Sequence, residues 1–313
     1  QDMWNSKLRG ATSLFPWIVP GVAHEHRYND LKTERSSHGF WQRHARALPC
    51  QCEEFRRITW HSDERCSTSL ALKWFHENGG RLCEEVQLVS SPTIGWGWYL
   101  ASSSDCKPVG TVLVRAPKNL VWTAEEKSCV SMEPLIPWEE LPNASQQLRA
   151  RLACAWLAAG KDDKHSQRPF IHALYPPASL PFLMVASSRS IPLELQGSVV
   201  LPHARALHES LCSKLVRHRA EVEDEMKIKE AWFWAQAVLM SRVFRLPSGG
   251  SRLVLAPIVD IANSARTHEE ANARLTEMEN GDFALVATRA IHGGEEIRNC
   301  YGEYANEQLL FAY

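Results

Sequence analysis

Short, β-prone segments lie on both sides of a helical stretch spanning residues 145–245, and this order constrains the fold more than any other feature of the sequence. Before the stretch, Val86-Gln87-Leu88-Val89, Thr111 to Val114 and Leu120-Val121-Trp122 read as strands and Gly95 to Leu100 as a Gly-containing strand or loop, with Ser91-Pro92 as a breaker. After Pro247-Ser248-Gly249-Gly250, strands return at Leu253-Val254-Leu255, Phe283 to Val286 and Glu296 to Cys300. Between them Leu148, Leu152, Trp156 and Leu157 fall on one helical face, and the acidic run Glu221 to Glu225 leads into Ala231-Trp232-Phe233-Trp234. Segregated strands and helices predict an α+β fold rather than a parallel sheet wrapped by alternating helices. A further helix is expected from Ser69, with Leu70, Leu72, Trp74 and Phe75, stopping at Asn78-Gly79-Gly80.

The 313 residues suffice for two domains or one large domain with an insertion. With 44% apolar and 23% charged residues the chain reads as globular rather than disordered, and a formal net charge of −1 supplies no bulk field for nucleic acid. The most apolar passage, Ala231 to Met240, is interrupted by Gln236 and too short for a transmembrane span. Nine scattered cysteines, an odd number, fit free thiols in a reducing intracellular compartment, cytoplasm or organelle matrix. Cys50-x-Cys52 with Cys66 lacks a second pair at zinc spacing, so no metal site is expected. Residues 1–68 carry Trp4, Trp17, Trp41 and Trp60 among many basic residues and read as an extension that packs on the body or docks on a partner protein.

Three places hold residues suited to chemistry. Gly95-x-Gly97 permits close backbone approach to a ligand, although the same pair also suits a plain β-turn. Asp260-Ile261-Ala262-Asn263 follows an apolar strand, where a carboxylate and an amide sit in a loop; an Asx-type turn is the alternative. Gly293-Gly294-Glu295-Glu296-Ile297 reads as a turn feeding a strand that ends at Tyr301-Gly302, and taken alone that tyrosine reads as a core or rim residue.

In this order, residues 69–313 resemble a SET-domain protein methyltransferase of the Rubisco large-subunit methyltransferase-like group, which includes actin-histidine-methylating relatives. The motifs are Leu72-Lys73-Trp74-Phe75-His76-Glu77-Asn78-Gly79-Gly80, Gly95-x-Gly97 through Pro117-Lys118-Asn119-Leu120, and Arg168-Pro169-Phe170-Ile171 through Leu195-Gln196-Gly197-Ser198. Ser241-Arg242, Pro257-x-x-Asp260-x-x-Asn263 and Gly294-Glu295-Glu296-Ile297-x-x-x-Tyr301-Gly302, then Asn306-Glu307, match the last blocks. The resemblance implies small, mostly antiparallel sheets in a first part (69–144) and a second part (246–313), with 145–245 as a helical insertion. The chain stops at Tyr313, where the group's C-terminal helical substrate-binding domain would follow, so that domain is expected to be absent from it.

The resemblance further implies S-adenosylmethionine as cofactor and methyl transfer to a protein side chain, usually lysine. Gly95, Trp96 and Gly97 would form the cofactor loop, Arg242 and Asp260 would support the pocket, Asn263 and Ser264 would face the methionine end, and Tyr301 matches the catalytic tyrosine. Two positions depart from the group: Ser264 stands where histidine is usual, and Ile94 where an acid usually precedes the first glycine. These departures keep a second reading open, an inactive SET-like binding subunit of a larger assembly.

Overall fold

The computed structural model describes residues 64–91, 95–124, 141, 143–174, 180–187, 193–217, 225–246, 252–302 and 311. Residues 1–63, with their tryptophans and the Cys50-x-Cys52 pair, and Ile94 lie outside the described residues. Helix α1 (Glu64–Glu77) begins five residues ahead of Ser69, so the expected boundary at 68 falls inside it; Thr68 is already buried. Ala71, Trp74 and Phe75 face the core while Leu70 is 51% exposed, since only the i, i+3, i+4 set can share one face.

Among the described residues ten strands follow in three antiparallel sheets: β1 (Arg81–Leu82), β2 (Val86–Ser91), β3 (Gly95–Leu100), β4 (Val112–Ala116), β5 (Trp122–Thr123), β6 (Phe244–Arg245), β7 (Leu253–Leu255), β8 (Ala273–Glu277), β9 (Phe283–Ala287) and β10 (Glu296–Ile297). The sheet orders are β1-β4-β9-β8, β10-β3-β2 and β5-β7-β6, so strands from both ends of the described chain interleave in every sheet. Two expected strands are shorter than their apolar runs suggest. Leu120 belongs to a 3-10 turn, Lys118–Leu120, because Pro117 opens it and the Asp282 carboxylate accepts from the Lys118 backbone N–H at 3.0 Å. The Glu296 to Cys300 run forms a ladder only at Glu296 and Ile297; Asn299 instead bridges in parallel to Ser264.

Between β5 and β6 lie α2 (Ala144–Lys161), α3 (Arg168–Ala173), α4 (Pro181–Ser187), α5 (Leu201–Arg217) and α6 (Glu225–Arg242). Asn143 caps α2, its side-chain oxygen accepting from the Gln146 N–H at 3.0 Å. Leu148, Leu152 and Leu157 are buried on α2, and every residue from Ala231 to Met240 on α6 is buried. One apolar core continues from this block into the sheets. Trp74 of α1 stacks on Phe170 of α3 with ring centroids 5.5 Å apart, and the Arg151 guanidinium donates to the Thr123 carbonyl of β5 at 2.8 Å. Among the described residues no helix is long and apolar enough to cross a membrane.

Candidate active site

The site forms where β3, β10 and the loop after β7 meet. Glu296 lies opposite Tyr99, and because strand side chains alternate, Glu296, Tyr99 and Gly97 share one face. The turn before β10 closes against backbone: a Cβ on Gly293 would lie 2.8–3.0 Å from the carbonyl oxygens of Ser102, Ser104 and Ala101, so only glycine fits. The Gly294 N–H then donates to the Leu100 carbonyl at 2.8 Å, which sets the register that brings Glu296 to the cluster.

Gly97 is required for a different reason. A Cβ there would sit 2.7 Å from Asn263 Nδ2 and 3.0 Å from Glu296 Oε1, so the bare strand makes room for the asparagine amide. Asn263 Nδ2 donates to the Trp96 carbonyl at 3.2 Å and to Glu296 Oε1 at 2.7 Å. Trp98, on the opposite face, is fully buried and donates from its indole to the Ile258 carbonyl at 3.0 Å. Ile258 has φ of 71°, a conformation β-branched residues rarely adopt, and it is buried at the turn that this hydrogen bond pins.

The turn continues into a short 3-10 segment, Val259–Ile261, that lies against β3 and β4 and turns Asp260 inward. Arg242, the last residue of α6, donates from Nη1 to Asp260 Oδ2 at 2.9 Å and so ties the helical block to the loop. Burial pushes the Asp260 carboxyl up from its ordinary range, and the guanidinium pulls it back.

Tyr301 arrives from the other direction. Its hydroxyl donates to the Ala262 carbonyl at 2.6 Å, and its backbone N–H donates to Ser264 Oγ at 3.3 Å. The parallel bridge behind it is made by the Asn299 N–H on the Asn263 carbonyl at 3.0 Å and the Ala265 N–H on the Asn299 carbonyl at 2.6 Å. Phe244 meets the tyrosine ring edge-on at 6.3 Å. Burial pushes the Tyr301 hydroxyl up to about 12, with Arg242 opposing and Asp260 and Glu296 adding to the rise.

Trp96, Gly97, Asn263, Ser264 and Tyr301 therefore form one connected cluster, and the Arg242–Asp260 pair joins it through the Val259–Ile261 turn and Ala262. Gly95 opens β3 opposite Ser91, next in sequence to Trp96 of the cluster. The sequence reading assigned no role to Glu296 or Asn272. Glu296 was visible within the Gly294-Glu295-Glu296-Ile297 block, but its register partner was not. Asn272 is 1% exposed; its amide donates to the Glu296 carbonyl at 2.8 Å and accepts from the Arg298 N–H at 2.7 Å, clamping β10 from both sides. Nothing in Ala271-Asn272-Ala273 signals that role. No three His, Cys, Asp or Glu side chains among the described residues are grouped to hold a metal ion. The cluster instead offers carbonyl oxygens, one side-chain amide, the Glu296 carboxylate and a neutral phenol.

A crystal structure of the SET domain of LSMT bound to lysine and AdoHcy superposes on 80% of this chain and 57% of that chain with a TM-score of 0.61 at 17% identity. The chain has the SET-domain fold. A structure of Rubisco LSMT bound to AdoMet matches 79% of the chain and 55% of its own length with a TM-score of 0.53, again at 17% identity. In sequence, the Arabidopsis thaliana Protein SET DOMAIN GROUP 40 is 30% identical over 119 residues, 30% of this chain and 24% of that protein. The chain thus spans about a quarter of the curated relative and little over half of the solved chains it matches. No family model matches the sequence.

Proposed function

We propose that this SET domain binds S-adenosylmethionine and methylates a lysine side chain of a protein substrate. The observation that carries the reading is Tyr301, whose hydroxyl is spent on the Ala262 carbonyl at 2.6 Å and kept un-ionised by burial beside Asn263. The solved SET domain of similar fold was bound to lysine and AdoHcy, which supports the same ligand classes here.

The residues present fit the cofactor. Asn263 uses its amide nitrogen on Trp96 and Glu296, and its oxygen accepts nothing among the described residues, leaving an acceptor suited to an ammonium group. The backbone of Gly95, Trp96 and Gly97 would form the cofactor loop, Asn263 would hold the methionine end, and the Arg242–Asp260 pair would keep the loop in place. Ser264 would contribute by seating the Tyr301 backbone. When bound, S-adenosylmethionine supplies an electrophilic methyl on a positively charged sulfur, so neither a metal nor a protein nucleophile is needed.

What the protein must supply is alignment of a neutral amine at about 3–3.5 Å from the reacting carbon. With its proton committed to Ala262, Tyr301 Oη presents lone pairs that accept from the amine and orient it. A tyrosinate would instead hold the ammonium proton in place, so a phenol kept neutral by burial favours its release. Burial of the lysine itself lowers its pKa in the same sense. Asp260 is neutralised by Arg242 and does not compete.

The test is transfer of an isotopically labelled methyl from S-adenosylmethionine into a complex protein mixture, with the labelled residue mapped by mass spectrometry. Lysine labelling that falls at least tenfold in Tyr301→Phe, with cofactor affinity unchanged, is the expected result. Cofactor binding with no transfer to any lysine would contradict it and favour a binding subunit.

A further inference from the structure

We infer that Glu296 is a positioning residue for the cofactor end of the site, acting through Asn263; the inference rests on the proposed function above. The amide of Asn263 has two nitrogen-bound hydrogens and two neighbours on that side, the Trp96 carbonyl at 3.2 Å and Glu296 Oε1 at 2.7 Å. Both neighbours are pure acceptors, so the reversed amide would set its oxygen against two oxygens. The carboxylate makes this preference strong, because a charge-assisted hydrogen bond is roughly twice as strong as a neutral one. Glu296 thereby sets which end of Asn263 faces away from the strand: the oxygen, an acceptor. The ligand group that matches it is a donor, the ammonium of an amino-acid moiety.

The carboxylate is held for this task. Asn272 clamps the Glu296 carbonyl at 2.8 Å and the Arg298 N–H at 2.7 Å, and β10 is registered on β3 by the glycine turn. The absent Cβ of Gly97, 3.0 Å from Glu296 Oε1, leaves room for the carboxylate to reach across the strand. Glu296 is half-buried and lies opposite Tyr99 on the face of β3 that Gly97 shares.

Calorimetric titration with S-adenosylmethionine is to be run on the full chain and on Glu296→Ala, Glu296→Gln, Asn263→Ala and the double variant Glu296→Ala/Asn263→Ala, with unfolding midpoints recorded for each. Glu296→Ala is expected to weaken binding at least tenfold. Glu296→Gln, which retains an acceptor oxygen and the packing volume, should recover most of that loss. In the Asn263→Ala background, removing Glu296 should change affinity less than twofold, since it acts through the amide. In Glu296→Ala, KM for S-adenosylmethionine should rise by a larger factor than turnover at saturating cofactor falls. In the ligand-free protein, the Asn263 side-chain amide resonance should lose its downfield shift in Glu296→Ala and keep it in Glu296→Gln, a readout independent of activity. Affinity within twofold of the parent in both Glu296 variants, or equal losses in the two Asn263 backgrounds, would overturn the inference and leave the proposed function standing. A parent chain that binds no cofactor would overturn both.

Discussion

The helical block and the site wall are built on opposite principles. In α6, ten consecutive residues from Ala231 to Met240 are buried, and the block is joined by ring packing such as Phe182 on Phe233 at 6.1 Å and Trp156 against Trp234 at 6.4 Å. The site wall is held by single polar contacts between residues far apart in sequence: Asn263 to Trp96, Asn263 to Glu296, Tyr301 to Ala262. Apolar burial is non-directional and tolerates changes that preserve volume, whereas each polar contact here fixes the orientation of one group. Changes in the block should therefore cost stability in proportion to volume, and changes in the wall should cost function out of proportion to stability.

The largest stability effect is expected from Phe233→Ala, which empties a fully buried position and should cost about 3–5 kcal/mol by denaturant unfolding. Because the core is continuous across block and sheets, the loss should appear as one cooperative transition; a helical transition separate from the β signal would break the comparison. Asp260→Asn comes next. It leaves Arg242, which is 22% exposed and so partly solvated, without its carboxylate, and should cost about 2–3 kcal/mol, below the usual range for a fully buried pair.

Gly97→Ala sharpens the contrast. Its Cβ must displace the Asn263 amide, for a stability loss of about 1–2 kcal/mol but at least a tenfold loss of cofactor affinity, measured by melting and calorimetry on the same sample. Ionisation of Tyr301 gives a pH signature. In the unfolded chain a tyrosine ionises near 10, and in the folded chain Tyr301 does so at about 12, so the folded state keeps the proton longer. Its contribution is complete below about pH 10 and is lost as pH rises toward 12. Tyr301→Phe should flatten that part of the stability profile, and an unchanged alkaline slope would show the hydroxyl to be accessible. The smallest effect is Ser264→Ala, which removes the long hydrogen bond from the Tyr301 N–H and the hydroxyl's own bond to the neighbouring Ala265 carbonyl and should cost about 0.5–1 kcal/mol, leaving the backbone bridge between Asn299 and Asn263–Ala265 intact.

The same contrast explains what the sequence made legible. The helical block is written locally, as apolar residues at helical spacing, and Leu148, Leu152 and Leu157 are buried as that spacing implies. The α+β class followed from the order of the segments. The strands that escaped notice, β1, β6 and β8, are two residues long or carry Arg274, Thr276 and Glu277, so no apolar run marks them. At the site, Gly97, Asn263 and Tyr301 could be named through motifs, but what joins them could not. The contacts of Glu296 and Asn272 depend on strand register and on a parallel bridge, and neither leaves a periodic trace in the sequence. Ser264 occupies its side chain on Tyr301 and on the Ala265 carbonyl at 2.9 Å, contacts that its place in the sequence does not signal.

The most direct test of the proposed function is calorimetric titration of the full chain with S-adenosylmethionine beside its Asn263→Ala variant. The account predicts saturable binding at one site per chain and at least tenfold weaker binding in the variant, which should still unfold in one cooperative transition. Absence of binding by the parent chain, or equal affinity in parent and variant, would contradict it.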